Sequence, residues 1–248
     1  MIYVYAIADR PQEPLPGQLG QHGEALAKIV WRDVAAVVSA FDGLQLSNSG
    51  DELWRHEEVV EALMSDRAVV PVRFGTLVSS PQRVSDVLCR AYGALVQDIE
   101  QVRGQVEIGM RFLSATENGA ADDRPLAACN GLALSGTGPG HAYLRSRLVR
   151  ERELRDRQRA RLERVRGAYE QLAGHATASR LDDKPDDRRG ASAAFLVPRD
   201  RLGCFREIVG GVANAHPELA LLCTGPWPAY SFVNAGENPA NWSDGHAE

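Results

Sequence analysis

Lysine is nearly missing from this chain. Lys28 and Lys184 are the only two, and arginine supplies the rest of the 28 basic residues set against 33 acidic ones. The formal net charge is −5, so bulk electrostatics does not favour nucleic acid. The four cysteines, Cys89, Cys129, Cys204 and Cys223, have no CxxC spacing, which argues against a zinc knuckle or a redox pair. They are expected to act as small core hydrophobes. No apolar run approaches the roughly 18 residues that would span a membrane. The start, from Met1 to Ala8, lacks a basic region and a small-residue cleavage site, so a cytoplasmic protein is expected. There is no GxSxG and no HExxH.

What is present suits a packed interior. Hydrophobic residues make up 44% of 248, enough to build one large core or two small ones. Residues 2–8 read as a β-branched and aromatic strand. Residues 25–31 and 34–41 read as two more, joined tightly at Arg32-Asp33. A helix follows over 51–65, then a strand candidate over 69–78, in which Pro71 implies an edge or a bulge. Ser80-Pro81 is an N-cap followed by proline at the first helical position, and the helix it opens runs to about Val102.

Beyond Gly104 the pattern restarts. Residues 106–113 read as a strand, 114–140 as loop, and 141–174 as a long proline-free helix crowded with arginine and interleaved with acids. Its apolar stripe is present at both ends and polar in the middle, so packing is expected at the two ends only. A charged loop over 182–190, a strand over 193–197, a helix from Pro198 to about Ala215 and a strand over 219–233 complete the chain, with a polar tail from Asn234 expected to fray. The class expected is α+β in two α+β domains, 1–104 and 105–248, the second a modified ferredoxin-like unit with a long charged helix and a flexible tail.

Chemistry is sparse. Gly136-Thr137-Gly138-Pro139-Gly140 precedes a helix, as phosphate loops do, but no Lys-Ser/Thr follows and the proline removes a donor. Glu52 and His56 share a helical face at i, i+4 and suit a metal pair. Without a second histidine, surface pairing or structural hydrogen bonding is the better reading. The Asp182–Asp187 carboxylates sit beside Arg188 and Arg189 and read as a solvated charge run. The arginine-rich helix has few aromatics beside it, so ion pairs are expected rather than RNA. No enzyme, cofactor or metal follows from these residues.

Three stretches together carry a resemblance: "MIYVYAIA" at the start, "VVPVRFGT" over 69–76, and "GPWPAYSF" over 225–232. With "GTGPGHAYLRSR" leading into the long helix, they resemble the gas vesicle protein GvpL/GvpF family. The resemblance implies a non-enzymatic protein of gas vesicle biogenesis, either a minor structural component or an assembly factor, associated with the vesicle. Its implied partners are the hydrophobic wall subunit GvpA and other accessory gas vesicle proteins. Proline within both apolar runs 69–78 and 219–233 makes them candidate edges for strand addition. The candidate partner-binding residues are therefore Arg73, Phe74, Trp227 and Tyr230. Core or interdomain packing is the competing role for each. Two other classes compete for the whole chain: a small-molecule-binding regulatory module of ferredoxin-like type, and an enzyme using the Gly136–Gly140 loop.

Overall fold

A computed structural model describes residues 1–42, 50–114, 139–182, 190–234 and 242. The Gly136–Gly140 loop largely lies outside these residues, as do most of the charged 182–190 loop and most of the tail.

The first half is a sheet with a helix on each face. β1 (Ile2–Asp9) lies at its centre, paired antiparallel with β3 (Val34–Ala40) on one side and with β4 (Val69–Pro71) and β5 (Leu77–Val78) on the other. β2 (Leu26–Trp31) forms the far edge. β1 does not alternate inside and outside, because helices cover both of its faces. Val4 and Ile7 pack with α2 (Pro81–Val102), while Tyr3, Tyr5, Ala6 and Ala8 pack with α1 (Gly50–Leu63). A register shift between Val4 and Ala6 switches the parity, as a bulge does.

α2 begins as the sequence implies. The Ser80 hydroxyl accepts from the Arg83 N–H at 3.3 Å, and Pro81 follows it. Val84, Val87, Leu88, Leu95 and Ile99 form its buried stripe, each side chain contributing about 1.5–3 kcal/mol of burial. The β2–β3 hairpin closes at Arg32-Asp33, and α2 holds its tip: the Tyr92 hydroxyl donates to Asp33 at 2.6 Å, and the Arg32 guanidinium lies 4.7 Å from the Tyr92 ring centre.

The second half follows the order β6 (Gln105–Ser114), α3 (Pro139–Ala173), β7 (Ala178–Asp182), β8 (Ala191–Pro198), α4 (Leu202–Ala215) and β9 (Leu219–Trp227). Its antiparallel sheet runs β7-β8-β6-β9. Residues of α3 and α4, among them Val165, Leu172, Phe205 and Val209, pack against Ile108, Met110, Phe112, Phe195 and Val197. Glu107, Gly109 and Arg111 alternate with those strand residues and face the opposite side. The α+β class is therefore as expected, built from two antiparallel sheets.

Several local expectations are corrected. The strand over 69–78 is two short pieces, because a turn intervenes: the Thr76 N–H and hydroxyl both bond the Arg73 carbonyl, and Gly75 adopts φ +86°. β7 was not foreseen, since its small and polar residues carry little strand signal. Among the described side chains of α3, from Ser146 onward, packing is confined to the C-terminal end. Val165, Ala168 and Leu172 are buried, but Leu148 is 57% exposed and Leu154 56%, because no described element lies beneath that half of the helix. Of the described thiols, Cys89 and Cys204 are exposed and Cys223 is partly buried, since neighbours such as Leu88 take the inward positions; Cys129 lies outside the described residues. The final strand ends at Trp227, and Tyr230–Phe232 form a 3-10 turn instead of resuming it.

The turn at Arg103-Gly104 separates α2 from β6, yet the first core extends past it. Leu196, Ala229, Phe232, Val233 and Trp242 all belong to that core. The tail thus does not simply fray from Asn234: Trp242 is 3% exposed.

Candidate functional site

His56 lies on the inward stripe of α1 with Val59, Val60 and Leu63 and is fully buried. Tyr3, Tyr5 and Phe74 surround it, with ring centres 5.7, 5.7 and 5.8 Å away. The Val72 carbonyl, 3.1 Å from Nε2, can only accept, so Nε2 carries the proton. Nδ1 then accepts from the Tyr3 hydroxyl at 3.0 Å, and that hydroxyl accepts from the Gly75 N–H at 3.2 Å. Burial outweighs the Val72 bond and holds the imidazole pKa down to about 4, so the ring is neutral at physiological pH. With both nitrogens engaged, His56 has no lone pair left for a metal. The Glu52–His56 pair does not form, and Glu52 instead meets His22 at 3.5 Å. Of the two roles weighed for His56, structural hydrogen bonding is the one observed.

Nε2 is also 3.2 Å from the oxygen of the Tyr230 hydroxyl, which donates to Glu57 at 2.9 Å. Burial raises the Glu57 carboxyl above its usual range, and burial with the adjacent Glu57 charge raises the Tyr230 hydroxyl. Two further carboxylates hold the same segment. Glu107 on β6 accepts from the Ser231 N–H at 2.8 Å and the Ser231 hydroxyl at 2.7 Å. Asp98 on α2 accepts from the Asn234 N–H at 2.9 Å. The turn after β9 is thus clasped to α1, β6 and α2 through three acids, with Phe232 buried beneath it. Charge-assisted bonds at low exposure make this a firm attachment.

Of the four residues singled out from sequence, Phe74 and Tyr230 meet at His56 and serve the clasp. Arg73 is exposed on the 73–76 turn and pairs with no described acid. Trp227 ends β9 opposite Glu107 and is 43% exposed. Sequence reasoning missed Tyr3, Glu107 and Asp98, because no spacing rule joins residues so far apart in the chain. His56 carried the one available signal: it sits in phase with Val59, Val60 and Leu63.

β9 pairs only with β6, and its other edge has no partner among the described residues. Leu222 on it is 52% exposed. No described helix is long and apolar enough to cross a membrane.

The sequence profile of the family described as "Gas vesicle synthesis protein GvpL/GvpF" matches residues 1–234. The chain belongs to the GvpL/GvpF family. Relatives include gas vesicle protein L of a Streptomyces species, 29% identical over 259 residues and covering 95% of this chain and 93% of that protein. Gas vesicle protein F1 of Halobacterium salinarum is 23% identical over 236 residues, with 94% and 92% covered. The crystal structure of GvpF from Anabaena shares the fold at a TM-score of 0.71 and 18% identity, covering 94% of this chain and 95% of its own. GvpF from Microcystis aeruginosa gives 0.70 at 19% identity, with 94% and 98% covered. The GvpL/GvpF membership places this protein among those that serve the gas vesicle.

Proposed function

We propose that this GvpL/GvpF protein is a non-catalytic assembly factor or minor structural component that binds the hydrophobic wall subunit GvpA through the open edge of β9. The observation that carries the reading is the pairing of an unpartnered strand edge with exposed Leu222 and Trp227. Such an edge adds a strand from another chain through main-chain bonds, and its exposed apolar side chains supply the contact area. Trp227 suits the role of a hot spot, being large and amphipathic. The 69–78 run is the weaker candidate, since β4 is only three residues long and fully buried. The charged half of α3 keeps a complex with an apolar subunit in solution.

A pull-down of the wall subunit checks this. Trp227→Ala with Leu222→Thr is expected to weaken capture at least tenfold, consistent with the loss of a hot spot worth about 1.4 kcal/mol or more. Arg73→Ala is expected to leave it within twofold. Equal capture by the β9 double variant and wild type, both folded, removes β9 from the interface.

A further inference from the structure

Val165, Ala168 and Leu172 form the buried stripe of α3. Counted back along the helix in steps of three or four, the same stripe passes through Arg161, Arg157, Leu154, Arg150 and Arg147. The face that packs on the second sheet therefore runs on beyond it, as four guanidiniums around a leucine that is 56% exposed. Over residues 146–166 nine arginines meet four acids, a formal +5 in a chain of −5, so the remainder carries −10. Glu151 takes up Arg147 at 3.7 Å and Arg155 at 3.6 Å, whereas Arg150 and Arg157 pair with no described acid.

The outer face of α1 has the opposite character. Asp51, Trp54, Glu58 and Glu61 follow at the same three- and four-residue spacing, and all four are exposed. Trp54, at 65%, is the most exposed large apolar side chain among the described residues. Five acids of α1 are set against Arg55 alone, with His56 neutral. The 14 residues of α1 span about 21 Å, as does the run from Arg147 to Arg161. Both stripes are exposed, so they do not cover each other within one copy.

We infer that the overhanging half of α3 docks on the outer face of α1 of a second copy of this chain. Guanidinium forks pair with carboxylates and stack on tryptophan, so an arginine stripe matches both components of the α1 face. Two helices with apolar residues at this spacing pack side by side, which brings Leu154 and Trp54 under the ion pairs. Each copy carries both surfaces, so two copies can exchange helices reciprocally. A bilayer is a poorer match, because Leu148, Val149 and Leu154 point in three directions around the helix and form no apolar side. A nucleic acid is a poorer match as well. Glu151, Glu153 and Asp156 interrupt the arginines, and the −10 of the remaining chain repels phosphate. The contact goes beyond the wall-subunit reading and uses neither β9 nor GvpA.

Sedimentation equilibrium of the full chain tests this. Wild type is expected to self-associate in about 0.1 M salt and at least tenfold more weakly in about 1 M, where the Debye length falls from roughly 10 Å to roughly 3 Å. Arg150→Glu/Arg157→Glu and Glu58→Arg/Glu61→Arg are each expected to be folded monomers, since all four side chains are exposed. Mixed in equal amounts the two variants are expected to associate, because the unaltered α3 of one meets the unaltered α1 of the other. A monomeric wild type overturns the proposal. So does association that survives either reversal, or a mixture that stays dissociated. Excess mass that nuclease removes also overturns it, in favour of nucleic acid on α3. Neither variant touches β9, so a failure here leaves the wall-subunit pull-down standing, and a failed pull-down leaves this result standing.

Discussion

His56→Leu is expected to lower the unfolding free energy by about 3 kcal/mol, because each buried polar group orphaned costs roughly 1–3 kcal/mol. In a chain of this size that corresponds to a fall of roughly 6–12 °C in melting temperature. Leucine fills the volume, so the loss comes from polar groups left behind rather than from a cavity. The Val72 carbonyl loses its donor, the Tyr3 hydroxyl loses its acceptor, and Tyr230 keeps only Glu57. A double-mutant cycle with Tyr3→Phe separates this from general damage. Removing the Tyr3 hydroxyl is expected to cost less in the His56→Leu background than in wild type, since its imidazole partner is already gone. Strictly additive costs would show that the Tyr3–His56 bond contributes nothing.

The same residue predicts an acid limb. An ordinary histidine titrates near 6.5, whereas buried His56 titrates near 4. Between these values the unfolded chain binds a proton that the folded chain refuses. Stability is therefore fully present above pH 6.5 and falls as the pH drops towards 4, by up to about 3 kcal/mol at about 1.36 kcal/mol per unit. Glu57 works in the opposite direction. Its folded pKa is raised, so its contribution is present at low pH and lost as pH rises through that value, and it offsets part of the histidine effect. Melting temperatures measured from pH 7 to pH 4 are expected to fall more steeply for wild type than for His56→Gln, which cannot titrate. Parallel curves would place the acid sensitivity elsewhere.

Much of the architecture was legible because local rules agreed. The Ser80-Pro81 start, the stripe of α2 and the tight Arg32-Asp33 hairpin all follow from short-range chemistry, and the structure has them in place. The failures have physical causes too. β7 is a strand because β8 offers it hydrogen bonds, not because Ala178 to Asp182 prefer extension. Leu148 belongs to an apolar stripe with Leu144 in the sequence, but sequence cannot say that nothing described lies beneath it, and it stands 57% exposed. The clasp was the least visible part. Tyr3, His56, Glu107 and Tyr230 meet only because the chain returns to its own beginning after β9. The GPWPAYSF stretch therefore divides in two: Trp227 stands exposed at the edge, while Tyr230, Ser231 and Phe232 bind the turn to the first core. A family marker of this kind is conspicuous for its structural role as much as for any partner.

Hydrogen exchange, measured on the chain alone and in complex with the wall subunit GvpA, tests the proposed strand addition most directly. A partner strand on the open edge of β9 would occupy its outward N–H groups. Amides within residues 219–227 are then expected to exchange at least tenfold more slowly in the complex, while those of β2 at the far edge of the first sheet stay unchanged. A complex that forms with no slowing in β9, or with protection confined to residues 69–78, would contradict the account.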